Sequence, residues 1–324
     1  LRGGPSEEHE VSLKTGLEVL KSLQADYNVI DIIVKQDGVW TLNNKEISKD
    51  YLKRVDVVFI ALHGSYGEDG CIQKQLDDLH IIYTGSGHFA SQNAFNKAKA
   101  KELLSGAPCL FACSKLITLD NLNDLKSMDI SADGWFVKPN ASGSSFGVEL
   151  VINQSDLFDS VSRKVIDYKE VLVEERIVGN EITVGVIERM FGEDITALPP
   201  VEIIPPENAS FFNVNVKYNG ETKEICPARI SEEMTNKVQQ AALYAHQNLG
   251  LKQYSRSDFI INDMGVYYLE TNTLPGLTSE SLFPREIVAA GSNFQELVTH
   301  LVKDALLLKG CLLYTSPSPR DSSK

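Results

Sequence analysis

Along the first ninety residues apolar runs of two kinds follow one another. In "EVSLKTGLEVLKSL" Leu13, Leu17 and Leu20 recur at helical spacing, which predicts a helix. "YNVIDIIV" is short and β-branched and predicts a strand. "VDVVFIAL" is an unbroken apolar run, as in a parallel strand buried on both faces. "GCIQKQLDDL" predicts a second helix and "IIYTGS" a further strand. This alternation is that of βαβ units, hence an open, parallel α/β domain. The opening "LRGG" reads as the end of a strand begun upstream. Two glycine-rich segments, "RGGPSEEHE" and "LHGSYGEDG", follow strand-like runs, and loops beyond strand C-termini are where such sheets bind ligands.

From Gln92 the pattern changes. "SQNAFNKAKAKELL" predicts one helix with a basic face, and "LFACSKLITL" and "GWFVKPN" are apolar segments before a Gly/Ser loop, "NASGSSFGVELV". "VLVEERIVGNEITVGVIE" predicts two strands around a Gly-Asn turn. A helix over "SEEMTNKVQQAALYAHQNLG", a hairpin of "RSDFII" and "VYYLETN", and a last helix over "NFQELVTHLVKDALLL" complete the pattern. The expected division is α/β over 1–91, a smaller α+β part over 92–180 and a third part over 181–310. The Pro/Ser-rich stretch 311–324 follows a complete helical pattern and is set apart as a non-native or disordered tail.

A chain of 324 residues, 43% hydrophobic and 23% charged, can bury more than one core. Its net charge of −13 argues against nucleic acid, whose binding rests on basic patches, but leaves room for a local cationic site holding a small anion. Five cysteines without paired C-x-x-C spacing predict neither a zinc site nor a disulfide framework, and fit a reducing compartment. No run reaches the roughly 18–20 apolar residues that span a bilayer.

The densest chemistry lies in "SRSDFIINDMGVYYLETNTLPGLTSES". Glu270 and Asn272 are two apart on one strand and share a face; Asp258, on the paired strand, can reach it. Two carboxylates and an amide oxygen are the hard ligands that Mg²⁺ prefers together with water and phosphate. A solvated polar face is the competing reading, set against the apolar Phe259, Ile261, Tyr268 and Leu269 around them. Lys138 precedes the Gly/Ser loop, whose N–H groups could wrap a triphosphate, although it is not a P-loop and an ordinary loop remains open. Glu174 and Glu181 at strand ends could accept from a ribose hydroxyl or an exocyclic amine, or be solvated edge charges. Lys217 and Tyr218 lie in a long polar segment over 205–224, a lid or a surface loop. Glu8 could hold an ammonium group, and Ser6 reads as the cap of the first helix.

Taken in order, "GGPSEEHEVSLKTG", "ALHGSYGEDG", "NKAKAKELL", "FVKPNASGSSFGV", "VEERIVGNEITV", "KYNG" and "RSDFIINDMGVYYLETNTLPGLTSES" resemble the D-alanine–D-alanine ligases of the ATP-grasp superfamily, over residues 1–308. The resemblance implies an ATP-grasp fold, mixing α/β and α+β parts, behind an N-terminal open parallel α/β domain. It implies ATP, two Mg²⁺ ions with Mn²⁺ as a substitute, cytoplasmic peptidoglycan-precursor synthesis, a homodimer, and no membrane or nucleic-acid partner. Lys97 and Lys138 would bind phosphates, Glu174 the adenine amine and Glu181 the ribose, with Glu175 and Lys217 as further nucleotide contacts. Asp258, Glu270 and Asn272 would hold the metals. Glu8 would take the first D-alanine's ammonium and His63 its carboxylate; Ser281 and Leu282 would take the second D-alanine's carboxylate. Arg256 and the Gly276 N–H would face the oxyanion, and Ser144 and Tyr218 would join loop, lid and first substrate. A carboxylate is a poor electrophile, which phosphoryl transfer converts to an acyl phosphate that an amine can attack. The alternatives are a ligase of this fold with D-serine, D-lactate or another acceptor, and a nucleotide-binding relative without turnover.

Overall fold

The structure, a computed structural model, describes residues 1–128, 131–143, 146–206 and 222–315, without the side chains of residues 127 and 308–315. The chain opens with β1 (Arg2–Gly3) and α1 (His9–Leu23) and continues through β2 (Ile32–Val34), β3 (Trp40–Leu42) and β4 (Lys45–Glu46), which form one sheet in that order. β1 and β2 are parallel, and β3 and β4 add an antiparallel extension that the apolar pattern did not predict. The expected strands over "VDVVFIAL" and "IIYTGS" reduce to isolated parallel bridges, Arg2 to Ala61 and Val58 to Tyr83. The helix expected over "EVSLKTGLEVLKSL" is α1, whose buried face is Ser12, Thr15, Gly16, Val19 and Leu23, while Leu17 is exposed. Arg2 packs on this face. Its side chain lies across Gly16, where a Cβ would sit 2.4 Å from Arg2 Cβ, and its guanidinium grips Asp31 at 2.7 and 2.8 Å.

α2 (Cys71–Asp78) and α3 (His88–Phe95) follow. The single basic helix expected over "SQNAFNKAKAKELL" is broken at Asn96, whose Oδ1 accepts from Lys99 N–H at 2.9 Å and starts α4 (Lys97–Leu103). This break puts Lys97 in the first turn of a helix. β5 (Leu110–Phe111) then joins the large sheet described below. β6 (Ser114–Ile117), β7 (Trp135–Pro139), β8 (Glu149–Val151), α5 (Gln154–Tyr168) and β9 (Val171–Glu175) form a smaller layer, with strand order β6-β9-β7-β8. Its core is Ile117, Val137, Leu157, Val161, Val171 and neighbours.

The seven-stranded sheet contains β5, β10 (Asn180–Glu188), β11 (Ile195–Ala197), β12 (Val201–Ile204), β13 (Lys223–Ile225), β14 (Tyr254–Asn262) and β15 (Gly265–Asn272). β9 and β10, read from sequence as consecutive strands around Gly179-Asn180, belong to different sheets, so that turn is the crossing between layers. α6 (Glu232–Asn248) buries Val238, Ala241, Ala242 and Ala245 against β10, β14 and β15. α7 (Leu282–Ala289) and α8 (Phe294–Thr315) end the described chain, α8 running into the stretch set apart above. α8 packs Leu297, Leu301 and Val302 beside Val19, Leu23 and Val34, so the last helix completes the core of the first sheet. Among the described residues no helix is long and apolar enough to cross a membrane.

Candidate active site

β14 places Arg256 and Asp258 two residues apart on one face. β15 runs antiparallel to it, with Arg256 opposite Asn272 and Asp258 opposite Glu270, so the hairpin gathers all four. Arg256 Nε donates to Asp258 Oδ1 at 3.0 Å and Nη2 to Oδ2 at 3.1 Å. Asn272 Nδ2 donates to Asp258 Oδ2 at 3.1 Å, and Thr183, opposite Asp258 on β10, donates from Oγ1 to Oδ1 at 2.5 Å. Thr271 turns to the other face and meets Ser257 Oγ at 2.8 Å. Arg256 and Asp258 are each 8% exposed, so this is no solvated face. Burial alone would lower the Arg256 pKa, but Asp258, Glu286 and Glu270 outweigh it and raise it above its ordinary value.

Lys97 Nζ reaches Glu270 Oε2 at 3.0 Å and the Ser142 carbonyl at 2.8 Å. Lys138 and Glu174, on adjacent strands β7 and β9, form an ion pair, and Lys101, one turn after Lys97, holds the other Glu174 oxygen. Glu174 is 2% exposed, which excludes the edge-charge reading. Burial and the nearby Lys101 and Lys97 pull the Lys138 pKa down, and Glu270 opposes this. In these contacts three ammonium groups face two carboxylates, an excess of positive charge suited to an anion. Lys97, Lys138, Glu174, Glu175, Glu181, Asp258 and Glu270 all line one cleft of about 400 Å³, whose apolar walls include Phe136, Ile203 and Leu269.

A second cleft, of about 730 Å³, is lined by Glu8, His63, Glu68, Arg256, Asn272, Gly276, Ser281 and Leu282. Arg256 and Leu282 belong to both clefts. Glu8 packs tightly on two glycines: a Cβ on Gly64 would lie 2.7 Å from its Oε2, and one on Gly143 2.9 Å. Ser6 is not the N-cap residue of α1, although its Oγ accepts from Glu8 N–H at 3.2 Å in the turn before the helix. It donates to the His63 carbonyl at 2.7 Å, and the N-cap position is Glu8, without a side-chain cap bond. His63 Nδ1 lies 3.0 Å from the Leu274 carbonyl, which can only accept, so Nδ1 carries the proton and Nε2 accepts from Thr15 Oγ1 at 2.8 Å. Burial lowers the His63 pKa against the pull of Glu8, so the ring is neutral and reaches a substrate only by giving up Thr15. Ser281 Oγ accepts from Thr278 N–H at 3.0 Å, and its side chain does not cap α7. The first-turn N–H groups of α7 therefore have no side-chain cap, the situation in which helix N-termini receive anions.

Sequence reasoning missed Thr183, Lys101 and Glu68. Lys101 shares the helical face of Lys97, and Thr183 is two residues from Glu181, so both had a periodic signal. Glu68 had none: it accepts from Gly64 N–H at 2.9 Å and from Leu274 N–H at 3.2 Å. Burial and Glu8 push its carboxyl up to about 8. Ser144, Lys217 and Tyr218 lie outside the described residues.

Among the described residues no three His, Cys, Asp or Glu side chains form a metal cage. Mg²⁺ commonly takes only one or two carboxylates and completes its shell with phosphates and water. Asp258 and Glu270, cross-strand neighbours in the cleft, fit that pattern. Asn272, which donates its N–H to Asp258, leaves an amide oxygen as the third donor.

Two family models match the chain, "D-ala D-ala ligase N-terminus" over residues 43–86 and "D-ala D-ala ligase C-terminus" over residues 132–303. D-alanine–D-alanine ligase of Syntrophobacter fumaroxidans is 39% identical over 314 residues, covering 94% of this chain and 96% of the relative. The chain belongs to the D-alanine–D-alanine ligase family. The enzyme of that name from Geotalea uraniireducens is also 39% identical, covering 95% and 94%. The crystal structure of the Bacillus anthracis ligase complexed with ATP is 29% identical, with a TM-score of 0.75 and 95% of each chain covered. The architecture is accordingly ATP-grasp behind an α/β domain, as the motifs implied.

In this family setting the Glu174 contacts give a direct expectation. Glu174→Ala leaves two buried ammonium groups without their carboxylate, and breaking such a pair costs about 3–5 kcal/mol. Denaturant unfolding is expected to show that loss, and ATP titration a KM raised roughly tenfold, the equivalent of one hydrogen bond to a charged group. An unchanged KM would remove Glu174 from nucleotide binding.

Proposed function

We propose that the chain joins two D-alanine molecules into D-alanyl-D-alanine, consuming ATP to ADP and phosphate through an acyl phosphate. The product serves peptidoglycan-precursor synthesis in the cytoplasm. The observation that carries this reading is the shared wall: Arg256 lines both the cleft of Lys97 and Lys138 and the cleft of Glu8. A phosphoryl group delivered from one side and an amino acid held on the other would meet beside a guanidinium.

Lys97 and Lys138 would neutralise the phosphates, with Glu174 at the adenine amine and Glu181 and Glu175 toward the ribose. Asp258, Glu270 and Asn272 would hold two magnesium ions, or manganese, and bound metal supplies charge neutralisation on the phosphates. Glu8 would take the first D-alanine's ammonium, close to His63, while Ser281 and Leu282 would take the carboxylate of the second. The attacking amine creates an oxyanion, which Arg256 and the Gly276 N–H would face; preorganised donors of this kind typically contribute about 10²–10³ in rate. Lys217, Tyr218 and Ser144 we carry over as lid and loop contacts that keep water from the acyl phosphate. The division at residues 91 and 180 and a homodimer belong to the same proposal.

Phosphate release with D-alanine, D-serine, D-lactate and L-alanine in turn tests the substrate. D-alanine is expected to give the highest rate and L-alanine none. A higher rate when D-serine or D-lactate is added beside D-alanine would reassign the acceptor.

A further inference from the structure

We infer that Glu286 is a positioning residue for the second amino-acid substrate: its buried carboxyl pins α7, which begins at Ser281 and Leu282, to β10 at the position facing Arg256. The inference rests on the ligase reading above. Glu286 is 0% exposed, and its Oε1 accepts from Gly185 N–H at 2.6 Å. Gly185 is the register partner of Arg256 on β14. On the other side of β10, pairing passes from β12 at Thr183 to β11 at Val186, and Gly185 falls in the gap. There the Gly185 carbonyl accepts from Leu198 N–H at 2.8 Å, and the Glu286 carboxyl takes the Gly185 N–H. Helix and strand touch closely enough to require glycine: a Cβ at 185 would lie 2.7 Å from Glu286 Oε2 and 2.9 Å from Phe283 Cε2.

A leucine would fill this space without a buried carboxyl whose second oxygen lacks a hydrogen-bond partner, but it would leave the Gly185 N–H without an acceptor. What the acid adds is direction. One hydrogen bond fixes the rotation and height of an eight-residue helix against the strand that pairs with Arg256's strand. Ser281 and the first N–H groups of α7 are thereby held at a set distance from the guanidinium. Burial raises the pKa of the carboxyl, against the Gly185 N–H and Arg256, and an amide at this position keeps the oxygen that accepts from Gly185.

The test compares Glu286→Gln, which keeps an accepting oxygen, with Glu286→Leu, which keeps the volume and loses the bond. Initial rates of dipeptide formation are measured over ATP and over a D-alanine range wide enough to resolve both amino-acid sites, beside thermal unfolding. Glu286→Leu is expected to raise the second-site KM by roughly tenfold or more, since small misplacements near the reacting atoms are costly. Its ATP and first-site constants should stay near wild type, and Glu286→Gln should restore the second-site KM. If Glu286→Leu does not fold, Glu286→Asp, one methylene short of Gly185, makes the same comparison. A second-site KM unchanged in these variants, or all constants moving together, overturns the inference. Wild-type protein that forms no dipeptide overturns the ligase reading itself, so the two failures are distinguishable.

Discussion

Arg256→Ala is expected to leave ATP binding within a few-fold of wild type and to lower turnover by about 10²–10³ or more, the loss typical of an oxyanion donor. The separation follows from the geometry. The contacts that line the nucleotide cleft, Lys97, Lys138 and Glu174, do not depend on the guanidinium, whereas Arg256 stands where the two clefts join. Removing it also strands Asp258, which is 8% exposed, at about 3–5 kcal/mol when one partner of a buried pair is lost. Arg256→Lys therefore belongs in the experiment. It keeps the charge beside Asp258 without the planar fork, and is expected to fold yet remain slow. Phosphate release and calorimetric ATP titration together check the expectation; turnover that survives Arg256→Ala removes the oxyanion role.

Glu270→Ala is expected to have the second-largest effect. It deletes one of the two carboxylates proposed to hold metal and takes away the carboxylate that Lys97 Nζ meets at 3.0 Å. The magnesium concentration needed for half-maximal ATP use should rise roughly tenfold or more, because charge neutralisation by metal is worth several kcal/mol. The unfolding midpoint should fall less than in Glu174→Ala, since the Glu270 side chain is 30% exposed and the buried Lys97 keeps its bond to the Ser142 carbonyl at 2.8 Å. Rates at limiting magnesium check this, and wild-type activity at low magnesium would count against the metal assignment.

The hairpin that carries this chemistry was legible in the sequence because three local signals agree there. Two apolar runs flank a short polar turn, and Glu270 and Asn272 stand two apart on the second. The basic segment was harder. Its composition suggests one helix, but Asn96 caps a second one, and that break aims Lys97 at Glu270. Beside the first sheet, strand propensity overstated pairing: in "VDVVFIAL" burial is complete only at Val58 and Ile60–Leu62, and β1 offers the segment only a short edge. α1 was legible from its leucine spacing, but the contact of Arg2 on Gly16 was not, because no periodicity reports it. Glu68 and Glu286 were missed for a common reason. Their partners, Leu274 and Gly185, are 206 and 101 residues away, and hydrophobic pattern tells which face is buried without telling what it meets.

The most direct test of the account is product analysis after mixing the protein with ATP, magnesium and D-alanine. The account expects ADP, phosphate and D-alanyl-D-alanine in equal amounts, and no dipeptide with L-alanine. AMP and pyrophosphate in place of ADP, or ATP consumed without any dipeptide, would contradict it.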